Sequence, residues 1–424
     1  MSEFAAPEPS APPASAPAAI DARVSPRAAA FTFIFITVVL DMLALGIIIP
    51  VLPQLILGMR GGDTASAAHW VGLFGTLWAL MQFLCMPVLG ALSDKVGRRP
   101  VILVSNFGLA ADYVVMALAP NLIWLLFGRL ISGATSGSVT SAFAYIADVT
   151  PAEKRAGAFG LLGAAFGLGF VVGPSLGGVL GHFDPRLPFW TAAGLSALNG
   201  LYGLFVLPES LPPERRALFS WRKANPVAAF ALLRAQPKLL GLATVKFLND
   251  LAHVVYPATF ALYAMYRFHW GAMQVGLTLG LVGAAGIVVQ GLLVGRIVKA
   301  LGERAAQLLG LAAGVIGFAI YALAPTWQVL LLGVPVAALW GLAGPAGQAL
   351  MSRKVGPSEQ GRLQGALSAL TGVAGMIGPS LFTIVFAFFI GAGAPFLFPG
   401  AALLAASLFV ALAIPVALRA SRAD

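Results

Sequence analysis

The sequence predicts an all-α membrane protein: twelve transmembrane helices in two pseudo-symmetric six-helix bundles. Three observations carry this reading. Only 10% of the residues are charged and 59% are hydrophobic, whereas an ordinary soluble domain is about a quarter charged. The apolar residues gather in long runs, most near the roughly 20 residues a helix needs to cross the lipid core. The chain also repeats itself. "GALSDKVGRR" from Gly90 returns as "GRIVKALGER" from Gly295, and "GPSLGG" from Gly173 as "GPSLFT" from Gly378, both 205 residues later. Two unrelated coincidences would not share one offset.

The runs lie at about 29–57, 69–92, 99–119, 121–147, 156–181, 187–207, 238–265, 271–297, 305–324, 326–351, 362–390 and 394–418. Each must be helical, because lipid offers no partner for a free backbone N–H or C=O. In span 1, Pro50 and Pro53 interrupt the helical ladder and favour a kink. Tight turns join spans 3 and 4 ("APN", 119–121) and spans 9 and 10 ("APT", 324–326). Span 5 carries Gly163, Gly167, Gly169, Gly173 and Gly177 around Pro174. Small residues four apart let a helix press closely on its neighbours, and the proline lets it bend.

Lys and Arg set the orientation. With the N-terminus inside, 21 of them fall on the inner side and Arg60, Arg186 and Arg267 on the outer, a strong positive-inside bias. The net charge of +10 therefore reports orientation rather than nucleic-acid binding. Both termini are expected in the cytoplasm. Residues 1–28, rich in Ala, Pro and Ser, read as a disordered cytoplasmic tail, with no charged start and prompt apolar run of the kind a signal peptide needs. Residues 29–207 then form the first bundle, 208–237 a cytoplasmic linker that is partly a basic amphipathic helix, 238–418 the second bundle, and 419–424 a short cytoplasmic tail. A lone cysteine, Cys85, and four scattered histidines make neither a disulfide nor a zinc site.

The charged stretch between spans 2 and 3 holds Gly90, Asp94, Gly97, Arg98 and Arg99. Gly90 and Gly97 allow a tight turn and close helix approach. Asp94 can pair with a basic group or meet the N-terminus of a neighbouring helix. Arg98 and Arg99 are expected to pair with acids of the other half. Pairs at a wet surface are weak, which suits a latch that opens each cycle. The alternative is a plain positive-inside loop.

A charge at the bilayer centre costs on the order of 3 kcal/mol on insertion scales, so buried ionisable residues usually have a task. Asp41 in span 1 can carry a proton, since burial favours the neutral form of a carboxyl. It can equally be paired statically with a basic neighbour. Asp112 in span 3 is a second candidate, or an acid that reaches interfacial water near the turn at 119–121. Arg129 in span 4 keeps its proton, so it must be paired or wet. Lys246, Asp250 and His253 lie on one face of span 7, at i, i+4 and i+7. Either the first two neutralise each other or the group handles protons, with His253 titrating near neutrality. Tyr256 and Tyr263 extend that face toward an aromatic ligand. Trp78, Phe83 and Trp340 lie in spans expected to border the cavity.

"GALSDKVGRRPVIL", "LLFGRLISGATSG" (125–137) and "GFVVGPSLGG" (169–178) resemble the signatures after helix 2, in helix 4 and in helix 5 of the major facilitator superfamily. "LDMLALGIIIPVLPQL" (40–55) is similar to helix 1 of its drug/proton antiporters. "AADYVVMALAPNLIWLLFGRLISG", "IADVTPAEKRAGAFGLLGAAFGLGF" and "GRLQGALSALTGVAGMIGPSLF" are most like the tetracycline-efflux antiporters. The resemblance implies proton coupling through Asp41, Asp112 and Arg129, and substrate binding by Asp41, Asp112 and Gln290. It implies that the span 5 seam, with Gly169, Gly173, Pro174 and Gly177, closes the proton leak. The tetracycline exporters carry an acid in helix 9 and a His in helix 8; this chain has Ala313 and Gly286 there. Asp250 and His253 are the expected replacements, and Tyr256 a substrate contact.

The functional expectation is a proton-coupled exporter of tetracycline-like or other amphiphilic drugs in the cell's inner membrane. A monomer suffices, there is no cofactor, and magnesium enters only as part of a drug chelate. The alternative is a proton-coupled carrier of a metabolite or siderophore. A membrane enzyme has no support, since no paired-His metal site or P-loop is present. A transport-fold sensor would bind substrate without moving it.

Overall fold

The computed structural model describes residues 26–420 apart from 152–153, 220, 222–229, 231, 234–235 and 357–358. Most of the expected tail at 1–28, the expected amphipathic helix of the linker, and residues 421–424 lie outside the described residues. The first half holds α1 (Pro26–Ile48), α2 (Leu52–Met59), α3 (Thr64–Val96), α4 (Arg98–Leu118), α5 (Leu122–Thr135), α6 (Ser138–Val149), α7 (Arg155–Phe183) and α8 (Leu187–Phe205). The second half holds α9 (Pro237–His253), a π-helical turn at Tyr256–Phe260, α10 (Ala261–Phe268), α11 (Ala272–Val288), a second π-helical turn at Val289–Leu293, and α12 (Val294–Leu323). It continues through α13 (Trp327–Leu332), α14 (Val334–Leu339), a 3₁₀ turn at Trp340–Leu342, α15 (Ala343–Arg353), α16 (Gln360–Ile390) and α17 (Ala401–Ala420).

These pieces make twelve spans. Among the described residues, nine stretches are long and apolar enough to cross a membrane. One of them, Ala272–Leu323, breaks at Gly302, whose φ of +79° ends span 8 and starts span 9. Span 6 is α8. Span 7 is α9 and α10 joined by the π-helical turn, where Pro257 withholds a backbone donor. Span 1 bends between α1 and α2 at Pro50, as the two prolines predict. Span 12 starts later than the apolar run suggests, at Ala401.

Caps fix several ends. Asp63 accepts from the Ser66 N–H at the start of α3, and Asn121 accepts from Ile123 and Trp124 at the start of α5. Arg186, one of the three arginines opposite the basic face, donates to the last carbonyls of span 3, Ala117 and Ala119, at 2.9 Å each.

The repeated Gly-Pro-Ser is the key to how the halves meet. In α7 its glycine lies on span 1: an added Cβ on Gly173 would sit 2.6 Å from Gly46 Cα. Its neighbours Gly169 and Gly177 press on Met42 and Ile47. The Pro174 carbonyl and the Ser175 side chain turn the other way, onto Gly276 and Gly280 of α11. In α16 the same triplet does the same. Gly378 lies on Val254 of span 7, while Pro379 and Ser380 face Gly72, Gly75 and Thr76 of α3. The Thr76 hydroxyl donates to Met376 O at 2.9 Å across that seam. Two seams, α7 with α11 and α3 with α16, thus join the halves.

The seams hold on one side only. Toward the face bearing the Lys- and Arg-rich loops, an added Cβ on Gly90, Gly157, Gly160, Gly163, Gly286, Gly291, Gly295, Gly361 or Gly365 would meet nothing within 4 Å. These glycines lie on the four seam spans, around and beyond the last seam contacts at Gly167 and Gly372, and we read the halves as parted there, with a gap toward the basic face. Two expectations are corrected by this. Gly90 neither turns the chain nor brings helices together: it lies within α3 and looks into the gap. Gly163 packs against nothing for the same reason.

Gly177→Val should be destabilising, because its Cβ would fall 2.0 Å from Ile47 O; overpacking of this kind costs about 1–3 kcal/mol. Gly163→Val should leave the melting temperature in detergent unchanged. Equal melting temperatures for the two variants would show the contact between α7 and span 1 to be loosely packed.

Candidate transport site

The first half places its intramembrane charges in one buried network. Asp41 is 4% exposed. Its Oδ1 accepts from the Asn199 amide of span 6 at 2.8 Å, and the same nitrogen donates to Thr37 O at 2.9 Å. Ser138 flanks the carboxyl, and Oδ2 has no hydrogen-bond partner. Among the described residues Asp41 therefore has no basic partner: the static ion pair is replaced by a neutral amide.

Asp112 is 0% exposed, which rules out the alternative in which it reaches interfacial water. The helix is buried here because span 4 closes on it through Gly128, whose added Cβ would meet Asp112 Oδ1 at 2.6 Å. Arg129, the next residue, lies within Coulombic reach of Asp112 without a direct ion pair. Its guanidinium sits 4.9 Å from the centre of the Trp78 ring, a cation–π contact. The Trp78 indole donates to Ser132 at 3.1 Å, and Ser132 borders Asp112. Fully buried Tyr113 stands in Coulombic reach of Asp41, Asp112 and Arg129 together.

The second half places a different cluster opposite. Lys246 Nζ and Asp250 Oδ2 form an ion pair at 2.6 Å. Thr371 of span 11 ties it down, donating to Asp250 at 2.6 Å while accepting from Lys246 at 3.1 Å. The self-neutralised reading of this pair is thus the observed geometry. His253 follows one turn later, its ring 5.6 Å from Trp340 and 6.1 Å from Tyr256. Tyr256 and Trp340 both pack on Phe318, at 5.3 and 4.9 Å. His253, Tyr256, Phe318 and Trp340 form an aromatic wall. Gln290 is exposed and touches Gly341 of span 10. Tyr263 does not belong to this face: it is 1% exposed and donates to Tyr321 O at 2.7 Å.

At the basic face the charged stretch is locked within its own half. Gly97 has φ +112°, a value that strains any side chain, and Glu209 fills the space its Cβ would take. Glu209 accepts from the backbone N–H groups of Arg98 and Arg99 at 2.9 and 3.2 Å, capping the first turn of α4. The Arg98 side chain pairs with Asp94 at 2.5 Å and Asp148 at 3.0 Å. Arg99 donates to the carbonyls of Gly203 and Leu204. The expected partners in the other half are therefore not engaged; with the gap open on this face, the nearest acids are those of spans 2 and 4 and the start of the linker.

The second half mirrors this lock with its signs exchanged. Moving 205 residues along takes Gly97 to Gly302, also at positive φ, Arg98 to Glu303 and Asp148 to Arg353. Glu303 and Arg353 are paired at 2.7 Å.

A chain with this fold, these signatures and this buried arginine can be placed among known proteins. The Major Facilitator Superfamily profile matches residues 34–379. The chain belongs to the major facilitator superfamily. It is 41% identical over 353 residues to the tetracycline resistance protein, class C, of Escherichia coli, covering 83% of this chain and 88% of that one. It is 36% identical to the class B protein of the same organism, covering 82% and 86%. Among solved structures, the human organic anion transporter MFSD10 superposes with a TM-score of 0.69 at 27% identity, over 93% of this chain and all of that one. A bacterial homologue of the human lysosomal transporter Spinster, in an inward-facing and occupied conformation, gives 0.74 at 17% identity over 94% and 97%. At that identity the likeness shows the fold alone.

Asn199→Leu should leave Asp41 without its amide donor and lower transport at least about tenfold, with the protein still folded. Unchanged transport with normal yield would mean that the amide does not tune Asp41.

Proposed function

We propose that the protein is a proton-coupled antiporter that exports tetracycline-like or other amphiphilic drugs across the inner membrane. The observation that carries this reading is the buried network of Asp41, Asp112, Arg129 and Tyr113. It holds two carboxyls with no cation bonded to either, and one guanidinium within reach. Carboxyls held this way can take and release protons without first breaking an ion pair. Arg129 is a fixed positive charge whose influence on Asp112 depends on what else is bound. The kinship with tetracycline resistance proteins supports the substrate class.

The cycle follows from the gap. Open to the basic face, taken as cytoplasmic, the protein receives drug between the first-half network and the aromatic wall. Drug displaces protons from Asp41 and Asp112, and the halves then rock about the two seams. Protons arriving from outside favour the return. Each ligand must differ in affinity between the two orientations, since only that difference moves the equilibrium. Asp250 and His253 assist, the pair with Lys246 opening when Asp250 is protonated. The latch of Asp94, Arg98 and Arg99 releases its own-half partners as the basic face closes. The two bundles, 29–207 and 238–418, move as units about the 208–237 linker, and one chain suffices. No cofactor is required beyond magnesium carried by a chelated drug.

The test uses inside-out vesicles energised to an acid interior, with a pH-sensitive dye. Tetracycline with magnesium should trigger proton release in the parent and not in Asp41→Asn. Asp250→Asn should slow it. Full release with Asp250→Asn would remove span 7 from the coupling, and absence of release with any amphiphilic drug would favour the metabolite carrier.

A further inference from the structure

We propose that a polar pocket inside the second half binds a neutral amide end of the transported molecule. The proposal rests on the drug-antiporter reading above and adds the chemistry of the substrate. The pocket lies between α9, α12 and α15, with a cavity volume of about 220 Å³. Sites that enclose a whole drug run from about 300 to 1,000 Å³. This one accommodates an end group and the ring that bears it.

Its polar lining comes from Lys246, Asn249, Asp250, Gln307 and Gln348. Lys246 and Asp250 cancel one another in their 2.6 Å pair. What remains is uncharged and offers both donors and acceptors. Asn249 Oδ1 accepts from the Trp340 indole at 2.7 Å, leaving its amide nitrogen to donate. Gln348 Nε2 donates to Gln364 at 3.2 Å, leaving its carbonyl to accept. Gln307 is 2% exposed, and its Oε1 has no hydrogen-bond partner. A buried acceptor left bare bears the full cost of losing its water; the Gln307 carbonyl is closed off as the side chain stands, and a ligand N–H that meets it once the amide turns into the pocket is favoured. A primary carboxamide supplies the match: two donors for the glutamine carbonyls and one acceptor for Asn249. A lone cation or anion would have to break the Lys246–Asp250 pair to be neutralised. Trp340, which holds Asn249, also belongs to the aromatic wall with His253, Tyr256 and Phe318. A planar ring attached to the amide would therefore lie against aromatic faces.

The experiment compares tetracycline with its nitrile analogue, in which the primary carboxamide has lost water and with it both donors. Binding to the purified full-length protein is followed by quenching of tryptophan fluorescence. Two variants are used. Gln307→Leu removes the bare acceptor. Gly344→Leu grows a side chain from a pocket-lining position where an added Cβ meets nothing within 4 Å, so it occupies pocket volume and serves if the first variant does not fold. Tetracycline should bind the parent at least about tenfold more tightly than the nitrile, and both variants should abolish that preference. Equal affinities in the parent, no binding of tetracycline, or equal weakening of both compounds in the variants would overturn the proposal. Proton release in vesicles separates it from the antiporter reading. Release by both compounds without discrimination removes the pocket alone. Discrimination in binding without any proton release removes the antiporter alone.

Discussion

Everything in this molecule depends on how closely four helices approach in a solvent that does not push them together. Lipid is as apolar as the helix surfaces, so association must come from packing and interhelical hydrogen bonds. The Gly-Pro-Ser triplet meets that demand twice. Its glycine admits the first span of its own half, at Gly46 in one bundle and Val254 in the other. Its proline and serine meet a glycine-bearing span of the opposite half. One helix thereby serves as the wall of its bundle and the hinge against the other. Because Pro174 and Pro379 interrupt the ladder, that helix can also flex where it pivots.

The electrostatic layout follows from that geometry. The seams keep the face opposite the basic loops closed, so solvent enters from one side. Groups deep in the first half, such as Asp41 and Asp112, are sealed by Asn199 and Gly128 rather than by counter-charges. In the second half the solution is different: Lys246 and Asp250 neutralise one another on a single helix, with Thr371 bridging. The two bundles share a backbone plan and diverge in how they tolerate charge.

The number of spans, the proline bend in span 1 and the two halves were legible because hydropathy, prolines and a fixed repeat offset are one-dimensional signals. The positions of Asp41, Asp112 and Arg129 were legible too, since a charge in an apolar run stands out. Their partners were not. Asn199 is one amide in an apolar span, and Thr371 one hydroxyl in another; nothing local says which carboxyl each will face. Glu209 follows directly after span 6, yet its role depends on the positive φ at Gly97, which leaves the space it fills. Arg98 and Arg99 meet partners of their own half here, and a sequence does not say which orientation of a rocking molecule is populated. The Glu303–Arg353 pair follows the same 205-residue offset as the glycines, so its position is legible in the repeat.

The exchanged signs of that pair bear on how the two halves came to differ. If both descend from one ancestral six-helix unit, reversing an ion pair required passing through a step in which like charges faced each other or one partner was missing. Arg98 is 11% exposed at the side chain and has two acids on it, so such a step there would strand a desolvated guanidinium. Glu303, the counterpart of Arg98, is just as shielded at 12% while Arg353 is 75% exposed, so a missing Arg353 would strand a desolvated carboxylate in the same way. In both halves the shielded member depends on its more exposed partner, so an exchange of sign is tolerated only when both members change.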